Sequence, residues 1–428
     1  MTDVFDSDFA RNPWPTLARL RAEGGVHRVR TPDGPQAWLV TRYRDVRAGL
    51  LDERLSTRDR HAKGDDYRGF PVPPPLDMML SAAPDDHARL RSLITAELSP
   101  RRLAEWIDRA PELVDSLLHD RDPGETVDLV ERLAVPLPAA VLGELLGLDD
   151  STAERLRGWA NSTLLPSASP PRARDTLAAM LAIMADATAR AQRADTPLGR
   201  WAAAHRSAGS PTGAELTGLL FYLLFVWYEV LADLIAGSVL TLLGRPEQRQ
   251  AWHALRDKRS GVDELLRYLS PQVLAGPRFA TTDLAVGDTT IPAGQTVLLC
   301  LASANHDPEI FDRPNWTSPG TGATSSRSAT GCMPAWATRW CAPSPRPLSI
   351  TCSPDGRTPR SRWTNERSAG APVSAIADRW RCRWNSDEMG RATMIAPPAT
   401  AFECRASRDR RPARERPHRH APTEQGRV

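Results

Sequence analysis

A mainly α-helical fold with a small β region is the architecture this sequence predicts. Three observations carry it. Segments at helical spacing dominate the first 271 residues. One apolar stretch, "LTGLLFYLLFVWYEVLADLIAGSVLTLL", runs from Leu216 to Leu243. Strand-type runs are confined to one early hairpin and one late cluster. The apolar stretch is long enough to span a bilayer, but Glu229 and Asp233 sit near its centre, where lipid would penalise them. It reads as a buried helix through a large soluble core.

The elements follow in order. "VHRVRTPDGPQAWLVTRY" has two β-type runs around "PDGP", a hairpin signal. "RDVRAGLLD" and "DDHARLRSLITAELSP" read as short amphipathic helices. "VDLVERLAVPLPAAVLGELLGLDD" reads as two helical pieces broken at Pro136 and Pro138. Residues 165–215 read as polar connectors around one helix, "RDTLAAMLAIMADATARAQ". The long apolar helix stops before Gly244 and Pro246. "GVDELLRYLSP" is a helix closed by Pro271, and "RFATTDLAV" and "GDTTIPAGQTVLLCLASAN" supply the late strands. Cys300, on the last of these, reads as a packing residue.

The chain divides in composition near residue 315. Residues 1–315 carry 36 Lys+Arg against 43 Asp+Glu; residues 316–428 carry 19 Arg, no Lys and 9 acids. Five of the six cysteines lie in that tail, with a single Leu and a single Phe. So little aliphatic surface cannot offset chain entropy, and the tail is predicted to be largely disordered. Its cysteines form no CxxC or CxxH pair, so no metal site is predicted. No basic start precedes an apolar core at the N-terminus, so no signal peptide and a cytoplasmic location are expected.

The polar motifs are modest one by one. Glu264 and Arg267 are an i,i+3 pair, ordinarily a surface ion pair. His87 and Arg91 are two cations four apart, able to bind a dianion or simply face solvent. Arg278 is a lone cation entering a strand. Their order and spacing change the picture. Over roughly residues 10–315 the chain resembles the bacterial cytochromes P450, the haem-thiolate monooxygenases. The resemblance implies a mainly α cytochrome P450 fold, truncated here. It implies that His87, Arg91 and Arg278 hold the haem propionates. "DELLRYLSP" and "LASANHDPEIFDRP" resemble the segments in which Glu264, Arg267 and Arg313 form a structural triad. The register set by "RPEQ" places Val226, Trp227, Tyr228, Glu229 and Val230 where the family usually has Ala-Gly-x-Glu-Thr. Glu229 is then the candidate catalytic acid, while the Gly and the Thr are missing. That departure reads equally as a drifted core helix or as an altered oxygen pocket.

The family also requires a Phe-Gly loop whose cysteine thiolate binds iron. In its place stands "RSATGCMPAWA". Read across codon boundaries, last base plus the next two, all ten junctions of this stretch are compatible with Phe-Gly-His-Gly-Leu-His-Ala-Cys-Leu-Gly. The Met333–Pro334 junction is forced to Ala and the Trp336–Ala337 junction to Gly. A frame slip near Asn315 therefore accounts for both the missing loop and the tail. Residues 1–315 are read as an incomplete family domain and 316–428 as out-of-frame sequence.

The expected function is haem-dependent monooxygenation of a small organic molecule in secondary metabolism, with O₂, a ferredoxin-like donor, no membrane or nucleic-acid partner, and a monomeric state. One rival is a catalytically dead product of the same gene. Another is a helical protein whose Arg-rich tail binds nucleic acid nonspecifically, against which stands the acidic body.

Overall fold

In the computed structural model the apolar stretch is one helix of 31 residues, Gly213–Leu243, about 46 Å long at 1.5 Å per residue. The structure describes residues 2–32, 34–69, 88–90, 92, 109–119, 127–165, 173–191, 196–204, 213–255, 258–311, 360–364, 381–385 and 394–395. Leu216, Leu219, Leu220, Leu223, Leu224 and Tyr228 are buried along the long helix at i, i+3, i+4 spacing. They form one core with Leu142, Leu156, Trp159, Met180 and Met184. Those residues come from three surrounding helices, Pro136–Leu146, Asp150–Leu164 and Ala173–Ala191.

Several local readings change. Val127–Asp128 is a strand, not helix. The chain then makes one wide turn over Val130–Ala134, closed by the Val135 N–H on the Val130 carbonyl at 3.0 Å, an i→i+5 bond. Pro136 and Pro138 open the next helix rather than both breaking it, because first-turn N–H groups have no helical acceptor anyway. That helix ends at Gly147, whose φ of 65° only glycine adopts without strain. Pro197–Ala204 is a helix inside the expected connector. Its signal was present: Thr196 Oγ1 accepts the Gly199 N–H at 3.0 Å, ahead of a proline at the first helical position.

A six-stranded sheet is built from β1 (Thr2–Asp3), β2 (Val26–Arg30), β3 (Gln36–Val40), β4 (Leu55–Ser56), β6 (Arg278–Ala280) and β9 (Thr296–Leu299), in the order β1-β2-β3-β9-β6-β4. The predicted hairpin is β2–β3, with Val26 opposite Val40. β3 runs parallel to β9, which joins the two ends of the described domain. β7 (Leu284–Val286) and β8 (Thr289–Ile291) form a separate hairpin. Cys300, 1% exposed, packs in the core beside β9 as expected.

Within 316–428 the described residues are three short strands, β10 (Arg360–Thr364), β11 (Arg381–Asn385) and β12 (Met394–Ile395). β11 pairs antiparallel with β5 (Val127–Asp128) and also with β10, giving the order β12-β10-β11-β5. The sequence predicts no strand there. The pairing is through backbone groups, and a strand edge accepts an extended segment of almost any composition. The rest of the expected disorder lies outside the described residues.

Candidate functional site

The site grows from the Lys258–Leu269 helix. Val262, Leu265 and Leu266 turn it toward the long helix, and Arg267 follows them inside at 3% exposure. Its guanidinium donates from Nε to Glu264 Oε2 at 2.8 Å and from Nη2 to Oε1 at 2.6 Å. Nη1 donates to the Asn305 carbonyl at 2.6 Å. The Phe311 ring lies 4.8 Å from the guanidinium carbon. The spacing alone reads as a surface pair; the fold makes it a buried lock, because a distant segment covers it.

That segment, residues 301–311, is fixed on every side. Asn305 Nδ2 donates to Ser270 Oγ at 3.0 Å, and Ser270 Oγ donates to the Arg267 carbonyl at 2.7 Å. Ser270 has φ 43°, uncommon for a residue with a side chain, and sits just before Pro271. His306 Nε2 bonds the Tyr268 carbonyl at 2.7 Å, and its ring stacks 4.0 Å from Trp14. Burial pushes the His306 pKa down to about 4, so the ring is neutral near pH 7. Arg21 Nη1 donates to the Ser303 carbonyl and hydroxyl at 3.0 and 2.9 Å. Asp307 Oδ2 accepts the Tyr43 N–H at 2.9 Å. The sequence reading missed Asn305, Ser270 and His306, whose partners are far away in the chain. Arg313 lies outside the described residues.

Arg278 opens β6, opposite Val297 on β9. Burial holds its guanidinium below the ordinary arginine range. Among the described residues its guanidinium donates to the Gly276 carbonyl at 3.3 Å, and no carboxylate pairs with it. A half-buried cation without a counter-ion fits an anionic ligand, as a haem propionate would be. His87 and Arg91 lie outside the described residues. Between them, residues 88–90 are helical, as the sequence predicts. Arg89 pairs with Glu215 at the start of the long helix, and Leu90 is buried in the main core.

Glu229 sits midway along the long helix, partly buried, directly after the fully buried Tyr228. Val230 packs on the cluster of Leu234, Val262, Leu265 and Leu266. The structure thus brings Glu264 and Arg267 together and sets Val230 against the helix that carries them. The side chains of Val226 and Trp227 lie outside the described part. Among the described residues no group of three His, Cys, Asp or Glu could hold a metal, and no helix is long and apolar enough to cross a membrane.

A family model described as Cytochrome P450 matches residues 259–319, which hold Glu264, Arg267, Arg278 and Arg313. The chain is 37% identical to cytochrome P450 monooxygenase PikC of Streptomyces venezuelae, over 72% of this chain and 75% of that protein. It is 31% identical to 6-deoxyerythronolide B hydroxylase of Saccharopolyspora erythraea, over 73% and 80%. Its fold is similar to the ligand-free P450 monooxygenase TamI, with a TM-score of 0.66, 32% identity, and coverage of 79% and 83%. All three likenesses extend well beyond the Glu264–Arg267 region.

Proposed function

This chain belongs to the cytochrome P450 family, the haem-dependent monooxygenases, and we propose that its gene specifies such an oxidoreductase acting on a small, largely apolar secondary metabolite of polyketide type. The observation that carries the haem reading is Arg278, half-buried and without a carboxylate partner among the described residues. Arg278, with His87 and Arg91, would hold the propionates through charge-assisted hydrogen bonds. When bound, haem would supply activation of O₂, with one oxygen atom going to the substrate and the other to water at the expense of two electrons and two protons. The Glu264–Arg267 pair holds residues 301–311 through Asn305, and Arg313 would complete that lock ahead of the ligand loop. Glu229 would carry a proton on its carboxylate toward the reacting centre. Val230 can neither donate nor accept one. A ferredoxin-type protein would deliver the electrons, and a monomeric cytoplasmic enzyme is the state that the resemblance implies.

The iron ligand is the part this chain lacks. Cys300 is packed in apolar core, and the tail cysteines stand in no haem-loop context. A slip of frame near Asn315 accounts for this, leaving residues 1–315 as an incomplete domain and 316–428 as out-of-frame sequence. The chain as written is then impaired, and the frame-restored chain is the enzyme. The substrate class rests on relatives whose names are a 6-deoxyerythronolide B hydroxylase and a polyketide biosynthesis cytochrome P450. Titrating the frame-restored, haem-loaded chain with neutral macrocyclic polyketides should give a saturable change in haem absorption and, once O₂ and a reduced ferredoxin-type donor are supplied, an oxygenated product. If small polar acids elicit the change and the macrocycles do not, the substrate class is wrong.

A further inference from the structure

The long helix is apolar on nearly every side, and such a helix can rotate or slide at little change in buried area. Something must fix its register. Tyr228 is fully buried on it, and its hydroxyl donates to the Val135 carbonyl. The phenol therefore binds the N-cap carbonyl of the Pro136–Leu146 helix, an oxygen with a second lone pair to offer. The wide turn before it, closed by Val135 N–H on Val130, ends at the residue whose carbonyl receives the phenol.

The ring is held as firmly as its hydroxyl. The Trp159 indole meets it edge-on, with centroids 5.9 Å apart and planes at 88°. Trp159 Nε1 donates in turn to the Thr176 carbonyl at 2.9 Å. Tyr228 thus ties the long helix to the Pro136–Leu146 helix directly, and through Trp159 to the Asp150–Leu164 and Ala173–Ala191 helices. Burial pushes the phenol well above its ordinary pKa, so it remains a neutral donor. Successive residues on a helix point about 100° apart, so fixing Tyr228 fixes the direction in which Glu229 leaves the same turn.

We propose that Tyr228 is a positioning residue: its hydroxyl, bound to the Val135 carbonyl, and its ring, held against Trp159, set the rotation of the long helix and so the placement of the Glu229 carboxylate. This rests on the reading of Glu229 as the proton carrier. A second tie on the same helix supplies the control. Thr217 Oγ1 donates to the Gly213 carbonyl at 2.8 Å and lies 3.1 Å from Thr188 Oγ1, both threonines being buried. Residue 217 is about 16 Å along the helix from Tyr228, so removing its hydroxyl loosens the bundle without turning residue 229.

The test compares Tyr228→Phe, Thr217→Val and Glu229→Gln. Amide hydrogen exchange is followed in the full chain as written and in the frame-restored chain. Product formed per electron consumed, and its pH profile, are followed in the restored chain. Tyr228→Phe keeps the ring and removes one buried hydrogen bond, so exchange over residues 136–142 and 226–232 should rise about threefold to tenfold. The yield per electron should fall and its pH profile should move, as with Glu229→Gln; Thr217→Val should leave both unchanged. Unaltered exchange in Tyr228→Phe overturns the clamp. Faster exchange with an unaltered yield and pH profile, while Glu229→Gln lowers the yield, overturns the positioning role. If Glu229→Gln has no effect, the Glu229 reading fails instead. Faster exchange in Tyr228→Phe then marks a purely structural tie, which also counts against the proposal.

Discussion

Purified as the 428-residue chain, the protein will retain little haem and will not give the thiolate-type spectrum when reduced and exposed to CO. The frame-restored chain will bind haem in equal proportion and give that spectrum. The difference is large because metal–thiolate ligation is lost outright in one chain and present in the other. On the proposed reading, what would remain in the chain as written is the propionate side: Arg278, half-buried and without a counter-ion among the described residues, together with His87 and Arg91. Arg278→Leu in the restored chain should weaken haem retention roughly tenfold, the worth of one strong charge-assisted contact. A full thiolate spectrum from the chain as written would mean that a tail cysteine substitutes as ligand, and the reading of residues 316–428 would be abandoned.

The second large effect is on stability. Arg267→Ala should destabilise the folded chain by about 3–5 kcal/mol, because it strands a buried partner set rather than merely deleting a contact. The Glu264 carboxylate loses both of its guanidinium bonds, and the Asn305 carbonyl loses its donor. Residues 301–311 lose the anchor that holds them against the Lys258–Leu269 helix. Arg19→Ala is the comparison. Arg19 and Glu23 also form an ion pair, at 3.0 Å, but both are about half exposed, and such pairs contribute about 0–1 kcal/mol. Urea unfolding of the two variants should separate them clearly. If Arg267→Ala unfolds at the same midpoint as Arg19→Ala, the lock is an ordinary surface pair and its assigned role is wrong.

What was legible in the sequence follows from how local each interaction is. The long helix was read within three residues of its start and at its end, since apolar periodicity and the Gly244–Pro246 stop are local signals. The β2–β3 hairpin was legible from "PDGP" for the same reason. Glu264 and Arg267 were visible as a pair, but their burial was not. The residue that covers them, Asn305, lies 38 positions away from Arg267. Tyr228 was placed on the right helix, yet its acceptor is 93 residues distant, and no periodicity points to it. A buried tyrosine in an apolar helix does announce that its hydroxyl needs a partner, but not which one. The strands of the tail were illegible because their pairing with β5 uses backbone groups, which composition does not encode.

The central claim is that a single frame break separates this chain from a complete haem-thiolate enzyme. The measurement that tests it most directly is the nucleotide sequence of the gene across codon 315. The account predicts that shifting the frame by one step opens an uninterrupted reading through the Phe-Gly-His-Gly-Leu-His-Ala-Cys-Leu-Gly loop, with cysteine encoded across the Pro334–Ala335 junction. A verified sequence in which the alternative frames meet a stop codon before that junction, or encode another residue there, would contradict it.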